Sequence, residues 1–517
     1  MNPPTNLVMA AIDIGSSAIR MDIAEIHPDG TIRVLDSLKK GVQLGREAFT
    51  DGHLSQDTIR AACDALRDFK KVMDTYGVVR YRAVATSAVR ESSNSETFLD
   101  RLLMNTGLDV EVIDGAEENR LTLAAAMDSI RSRTDIVRAK CILVEVGGGS
   151  TDITVLSDGE LQQSGAFPLG SIRLRAGVAA SSAKHEQQVR TLKRQIASLL
   201  TNVKREVELR DAVHYIALGG DVRFASRLLK PDAPSERLSV LSKEAFSEFV
   251  DSVSRLTIDG LVQQYSMHYL DAETLAPALL TYMQILKETQ AQEIIVSDAS
   301  IRAGMLQDMA PVEQGKRQKK LVSQILSAAR SLGRKYHYDE NHAECVRAFS
   351  VLMFDELKAE QRMTDTHRLY LEVAALLHDI GLFVSSRSHH KHSQYLIAAS
   401  EIFGLRRHEL ELIANIARYH RRALPQRSHV PFVSLDRDER MIVSKLAAIL
   451  RVANALDKDH SQGILELKVG REGDQITLTA PSGADLPMGR SALAARSDFF
   501  VEIFGKKIIL REGAGTP

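Results

Sequence analysis

Ala11-Ile12-Asp13-Ile14-Gly15-Ser16-Ser17-Ala18-Ile19-Arg20-Met21 and Leu143-Val144-Glu145-Val146-Gly147-Gly148-Gly149-Ser150-Thr151-Asp152-Ile153 are built to one plan. Each is an apolar strand ending in an acid, then a Gly/Ser turn, then a second apolar strand. A hairpin of this kind brings backbone N–H groups to its tip, where they can meet an anion. Glycine permits the close approach such a tip needs, and the Ser and Thr hydroxyls add donors. Two copies predict two halves facing each other across a cleft and gripping one phosphate-bearing ligand from both sides. The acids Asp13, Glu145 and Asp152 would repel bare phosphate, so they predict a divalent cation between carboxylate and phosphate.

Outward from the loops, three strands are expected over Leu7–Asp13, Ala18–Ile26 and Thr31–Leu38, with His27-Pro28-Asp29-Gly30 as the turn between the last two. Helical periodicity runs from Ser55 to Tyr76, strands follow at Tyr81–Ala85 and Val110–Ile113, and a helix over 116–131 opens on Glu117 and Glu118, where a helix N-terminus favours negative charge. The second half repeats the pattern: strands at 141–146, 152–158 and 160–167, a long polar helix over 184–208, strands His214–Leu218 and Glu293–Ser297, and a helix over 299–308. This is an internal α/β repeat whose sequence identity is confined to the loops.

After residue 310 the character changes. A basic run, Lys316-Arg317-Gln318-Lys319-Lys320, follows Pro311, and helical periods dominate to about residue 460. The run reads either as a solvated helix start or as a polyanion contact. Residues 464–512 return to alternation, with Leu465, Leu467 and Val469 on one face and Ile476 and Leu478 beyond a turn at Gly470–Asp474. Four segments follow: 1–130, 131–309, 310–462 and 463–517.

Composition bounds the function. A chain of 517 residues exceeds one core, and 44% hydrophobic with 26% charged residues is globular. The formal net charge of −1 provides no general basic field, so a polyanion must be met locally and nucleic acid is not expected as a partner. Cys63, Cys141 and Cys345 are odd in number and far apart, which suits a reducing compartment. No apolar run is long enough to span a membrane, and the start Met-Asn-Pro-Pro-Thr-Asn lacks the basic segment of a signal peptide. A cytoplasmic protein is expected.

The two loops, with Ala85-Thr86-Ser87-Ala88-Val89-Arg90 and Gly115-Ala116-Glu117-Glu118-Asn119-Arg120-Leu121, resemble the exopolyphosphatase / guanosine pentaphosphate phosphohydrolase (Ppx/GppA) family. The likeness is specific over residues 8–175. It continues through Leu218-Gly219-Gly220 and Ser297-Asp298-Ala299-Ser300-Ile301-Arg302-Ala303-Gly304, and the region after 320 resembles the C-terminal HD-like domain of long members. The resemblance implies an α/β fold of two actin-like domains (the ribonuclease H-like, sugar kinase and Hsp70 superfamily) around a cleft. An α-helical HD-like domain and a small β-containing unit would follow.

The resemblance also implies roles. Glu118 matches the family's catalytic glutamate, which orients and deprotonates water; Glu117 reads as a helix-start acid. Arg90 matches an arginine lining the phosphate cleft, whose planar fork can grip phosphate; the alternative is a salt bridge with Glu91. Arg20 is a weaker candidate. Gly15, Ser16, Ser17, Gly147, Gly148, Gly149, Ser150 and Thr151 are expected to hold phosphate, and Asp13, Glu145 and Asp152 to hold Mg²⁺ or Mn²⁺. The family commonly has Asp before the triple glycine and Glu after it; here the order is Glu145 and Asp152, which leaves the division of ligand roles open.

The expected reaction is exopolyphosphatase, releasing orthophosphate from the end of inorganic polyphosphate. The alternatives are guanosine pentaphosphate 5′-phosphohydrolase, an actin-like small-molecule kinase, and an alarmone-binding regulator. A homodimer is implied by resemblance alone.

In the helical region His342, His378-Asp379, His392 and His420 fall at spacings resembling an HD metal phosphohydrolase. The last ligand of that fold is usually the Asp of an Ala-Asp-x-Leu helix. Here Ala453-Asn454-Ala455-Leu456-Asp457 stands in its place, with Asn454 a poor charged-ligand replacement and Asp457 three residues on. Two readings stay open: a degenerate site kept for structure, dimer contact or a substrate channel, or a site for a second divalent metal.

Overall fold

The computed structural model describes all residues except 1–5, 132, 180–183, 232–236, 311–313, 422, 465, 482–485 and 514–517, so Pro311 and Leu465, both used above, lie outside the described residues. The chain divides into a unit of residues 1–320 and a unit of residues 321–517.

The first unit holds two sheets of matching topology. In one, β1 (Leu7–Ile14), β2 (Ala18–Ile26) and β3 (Ile32–Gly41) form an antiparallel meander, and β4 (Arg80–Ala85) and β5 (Glu111–Val112) add in parallel on the other side of β1, giving the order β3-β2-β1-β4-β5. In the other, β6 (Cys141–Val146), β7 (Thr151–Ser157) and β8 (Glu160–Phe167) form the meander. Strands β9 (His214–Leu218) and β11 (Glu293–Ser297) then run parallel to β6, with β10 (Leu238–Ser242) antiparallel at the edge. The internal repeat is therefore a repeat of strand order.

Strand β1 is buried on both faces, which explains its continuous apolar run. Ala10, Ile12 and Ile14 join the core under the helix Gln56–Thr75, while Met9 and Ala11 face Leu121 and Met305. The period of two then puts Asp13 on the second face. Strand β6 does the same, with Ile142, Val144 and Val146 in the core of the second sheet and Glu145 on the opposite face. Each acid sits two residues before the first glycine of its loop, at the carboxyl end of a central strand, where open α/β sheets place their ligands.

The helices Gly115–Ser129 and Ile301–Met309 pack closely because residue 304 is glycine: a Cβ there would overlap the Leu121 carbonyl. The basic run lies within the helix Gln314–Lys335, where Lys319 and Lys320 are exposed and Arg317 donates to the Gln307 carbonyl.

In the second unit the helices Glu340–Leu357, Asp365–Leu377, Arg407–Arg418 and Arg437–Leu456 share one core with the sheet β12 (Lys468–Glu472), β13 (Gln475–Ala480) and β14 (Lys507–Glu512). Ile476, Leu478, Phe500 and Leu510 are part of that core, so the expected terminal unit at 463–517 has no separate core of its own. Thr364 and Asp436 close capping boxes at two of the helix starts. Cys63, Cys141 and Cys345 are free thiols, and no helix among the described residues is long and apolar enough to cross a membrane.

Candidate functional site

The two loops close in the same way. Gly15 N donates to Ala18 O at 3.2 Å, and Gly147 N donates to Ser150 O at 2.9 Å. Those two amides are corrections to the expected phosphate-binding set, because their protons already close the turns. Thr151 is a third correction: its hydroxyl is fully buried and donates to the Leu169 carbonyl at 2.9 Å.

The loop tips meet. A Cβ on Gly148 would stand 2.9 Å from Ser16 Cβ, and one on Gly149 would overlap Ser87 and Phe49. Ser16 Oγ lies 3.2 Å from Ser87 Oγ, and Ser17 O accepts from Val42 N and Gln43 N. Behind the second loop, Ser171 N and Ile172 N donate to Gly147 O and Gly148 O, both at 2.9 Å, and Arg173 Nε donates to Gly149 O at 2.9 Å. The carbonyls are thus pinned from behind by the start of the helix Ser171–Ala179.

Carboxylates gather beside the tips. The N-cap Asp114 accepts from Glu117 N and starts the helix that carries Glu118. Glu117 turns away into a buried network, 2.9 Å from Arg82 and 2.7 Å from Arg120, as expected of a structural acid. Glu118 turns toward the loops with its side chain 20% exposed, and its Oε2 has no hydrogen-bond partner. Burial pushes its pKa up to about 8, and the charges of Glu145, Asp13 and Asp114 push the same way against Arg90. Burial likewise raises Glu145 and Asp13, the latter opposed by Arg20 and Arg302. Asp152 is the cross-strand partner of Glu145 and shares its face of the sheet.

These acids fit a divalent cation. Glu145 Oε2 and Glu118 Oε2 are buried atoms with no hydrogen-bond partner, the charges of Glu145 and Asp13 raise the pKa of Glu118, and that of Asp13 raises Glu145. Carboxylate oxygens are the donors Mg²⁺ or Mn²⁺ takes, while among the described residues no three of these acids bring ligand atoms within 4.8 Å of one another.

Arg90 Nη1 donates to Ile113 O at 2.5 Å and stands 4.0 Å from Glu118 Oε2. The alternative bridge to Glu91 does not form; Glu91 is held by Arg173 at 2.6 Å. Arg20 Nη1 is 4.0 Å from Asp13 Oδ2. Arg302, quoted above only within a family motif, and Arg223, not singled out, border the acids, and Asp221, a weak candidate for the catalytic Asp of a kinase, lies near Arg20 and Arg223. Arg302 reaches Asp13 at 3.6 Å and Asp22 at 2.8 Å, Arg223 acts on Glu145 by charge, and burial raises Asp221 to about 6. Their signal was position: each follows the carboxyl end of a parallel strand, β9 or β11.

In the second unit the predicted His378-Asp379 doublet lies at a junction of helix ends. Asp379 Oδ1 is 3.2 Å from His389 Nε2 and 3.3 Å from His420 Nε2, while Oδ2 is 3.6 Å from His378 Nε2, 4.0 Å from His342 Nε2 and 3.9 Å from His460 Nε2. Two members of the predicted set need correction. His392 lies three residues, about 4.5 Å, further along the helix His389–Ala398, and the histidine which that helix brings to Asp379 is His389. Asp457 joins the group only through His342: its Oδ2 accepts from His342 Nδ1 at 2.7 Å and its Oδ1 accepts from Gln462 N at 2.8 Å. His389 and His460 were missed because neither follows the doublet spacing. Gly381 allows the approach, since a Cβ there would overlap the backbone at His389 and Ser393.

The described geometry has counterparts. A family model, Ppx/GppA phosphatase family, matches residues 23–313, and a second, Ppx/GppA phosphatase domain III, matches residues 326–485. An exopolyphosphatase from Cytophaga hutchinsonii aligns at 23% identity and TM-score 0.53, covering 58% of this chain and 97% of that one. A Ppx/GppA family member from Aquifex aeolicus aligns at 24% identity and TM-score 0.50, covering 59% and 97%. Those likenesses show the α/β fold of the part of the chain that they cover. With the first family model spanning more than half the chain, over the second sheet, part of the first and the helix that carries Glu118, the chain belongs to the Ppx/GppA phosphatase family.

Proposed function

We propose that this protein is a metal-dependent exopolyphosphatase that hydrolyses the terminal phosphoanhydride of inorganic polyphosphate, with Glu118 as the general base. The observation that supports it is the placement of Glu118: a buried carboxylate oxygen without a hydrogen bond, facing the two loops, beside Arg90. An anhydride needs its terminal phosphoryl held, its charge neutralised and a water placed in line with the leaving oxygen. In this reading the amides and hydroxyls of Ser16, Ser17, Gly148, Gly149 and Ser150 hold non-bridging oxygens, and the second guanidinium nitrogen of Arg90 adds a charged donor. Glu118 orients the water and takes its proton as the oxygen–phosphorus bond forms and the anhydride bond breaks. A divalent cation held by Asp13 and Glu145, with Asp152 adjacent, supplies neutralisation of phosphate charge.

The test is orthophosphate release from long polyphosphate, guanosine pentaphosphate and ATP, with and without Mg²⁺, for wild type and Glu118→Gln. Mg²⁺-dependent release from polyphosphate by wild type alone is the expected result. Cleavage of guanosine pentaphosphate alone would replace the substrate, and full activity in Glu118→Gln would remove the base.

A further inference from the structure

Five imidazoles around Asp379 share one orientation. His378 Nδ1 lies 2.7 Å from Ala375 O, His420 Nδ1 2.7 Å from Ala417 O, and His389 Nδ1 3.2 Å from Ser386 O. His342 Nδ1 lies 2.7 Å from Asp457 Oδ2 and His460 Nδ1 2.9 Å from Asp339 Oδ2. Carbonyl and carboxylate oxygens only accept, so each Nδ1 carries the proton and each neutral ring turns an Nε2 lone pair inward. The inward nitrogens then oppose one another: His342 Nε2 stands 3.2 Å from His378 Nε2, and His389 Nε2 stands 3.2 Å from His420 Nε2.

Two lone pairs at that distance repel unless something positive lies between them. A proton on one ring of each pair is the simplest remedy, but it buries two imidazolium ions around a single carboxylate. Arg421 Nη1, 3.3 Å from His389 Nε2, adds a further positive charge there. A metal ion answers each opposed pair with one charge centre, and outward Nδ1–H bonds to carbonyls and carboxylates are the way proteins fix a metal-binding imidazole.

The donor atoms fall into two groups that share Asp379. One is His342, Asp379 and His460; the other is Asp379, His389 and His420. His378 Nε2, close to both His342 Nε2 and Asp379 Oδ2, adds a donor to the first group. We propose that these six residues form a dinuclear transition-metal centre bridged by the two oxygens of Asp379. Imidazole-rich donors with one carboxylate and no thiolate select ions of the Mn, Fe, Co, Ni and Zn class. Mg²⁺ and Ca²⁺ prefer all-oxygen sets such as Asp13, Glu145 and Asp152. Three or four protein donors per ion leave positions for water or a phosphate-bearing ligand. His460, 32% exposed in its side chain, marks the solvent side of the centre.

The test is zinc content of the full-length protein, stripped, reloaded with Zn²⁺ in the presence of excess Mg²⁺ to fill the carboxylate site, gel-filtered and measured by plasma mass spectrometry. Wild type should retain about two ions per chain. Asp379→Asn should retain almost none, His420→Ala and His460→Ala should each lose one, and His392→Ala should retain both. Circular dichroism checks folding, and His460→Ala, which truncates a partly exposed loop residue, keeps the test open if a buried substitution unfolds the chain. Wild type that retains one ion or none, or His460→Ala and Asp379→Asn that retain as much as wild type, overturns the proposal.

Discussion

The carboxylate of Glu118 stands 4.0 Å from the guanidinium of Arg90, within ion-pair range and beyond hydrogen-bond range. The gap persists because Arg90 Nη1 is already donated to Ile113 O. A bonded pair would have fixed Glu118 as an anion with its lone pairs occupied. The actual arrangement leaves one oxygen able to accept a proton from water. Replacing Glu118 by Gln keeps the shape and removes the basicity, so kcat for phosphate release should fall by roughly 10²–10⁴, with KM changed far less. A loss confined to KM would show that Glu118 binds substrate instead of acting on water.

Glu118 also sets a pH dependence. Its pKa is pushed up to about 8, mainly by burial, and a base works in its deprotonated form. The free enzyme's kcat/KM should therefore rise with pH through that region and level off above it. Added divalent cation favours the carboxylate and should move the rising limb to lower pH. A limb that stays in place at every Mg²⁺ concentration would separate Glu118 from the cation-binding acids.

The same shift has a stability consequence of opposite sense. A carboxyl whose folded pKa is raised stabilises the fold fully below its unfolded value near 4.3, and that contribution is lost as pH rises through the folded value. At pH 8 without metal the ionised cluster of Glu118, Glu145 and Asp13 strains the fold. Glu118→Gln should then be the more stable protein at pH 8, by about 1–3 kcal/mol, and show little gain at pH 4. Urea unfolding at the two pH values measures the difference.

What the chain displayed openly was local. Acid, apolar residue and glycine at 13–15 and again at 145–147 gave both loops, because a strand buried on each face and a turn that needs glycine leave plain marks. Glu118 was legible from resemblance and Glu117 from its place at a helix start. Arg302 and Arg223 were not, since they reach the acids only after β9 and β11 line up in parallel beside β6 in the second sheet. His389 and His460 escaped for a related reason: the histidines around Asp379 come from five separate helix ends and loops, and no sequence period links them. Thr151 misled in the other direction. A hydroxyl beside a glycine run resembles a phosphate donor, yet tertiary packing gave it the Leu169 carbonyl.

Gly170 tests whether the second loop must be held from behind. It precedes the helix whose first amides bind Gly147 O and Gly148 O, and a Cβ at 170 would run into the backbone of Gly148 and Gly149. Backbone cannot rotate aside as a side chain does, so Gly170→Ala must displace either the loop or the helix. The carboxylates stay where β1 and β6 put them, and the amides move relative to them. Misplacement of about 1 Å costs on the order of 10² in rate, while overpacking of this kind costs about 1–3 kcal/mol of stability. Gly470→Ala, where a Cβ meets no atom within 4 Å, is the matched control and should behave as wild type. Steady-state phosphate release and thermal melts on the two variants separate the outcomes. Gly170→Ala that is destabilised yet fully active would mean that the helix yields, leaving the loop held by its own turn and by Arg173.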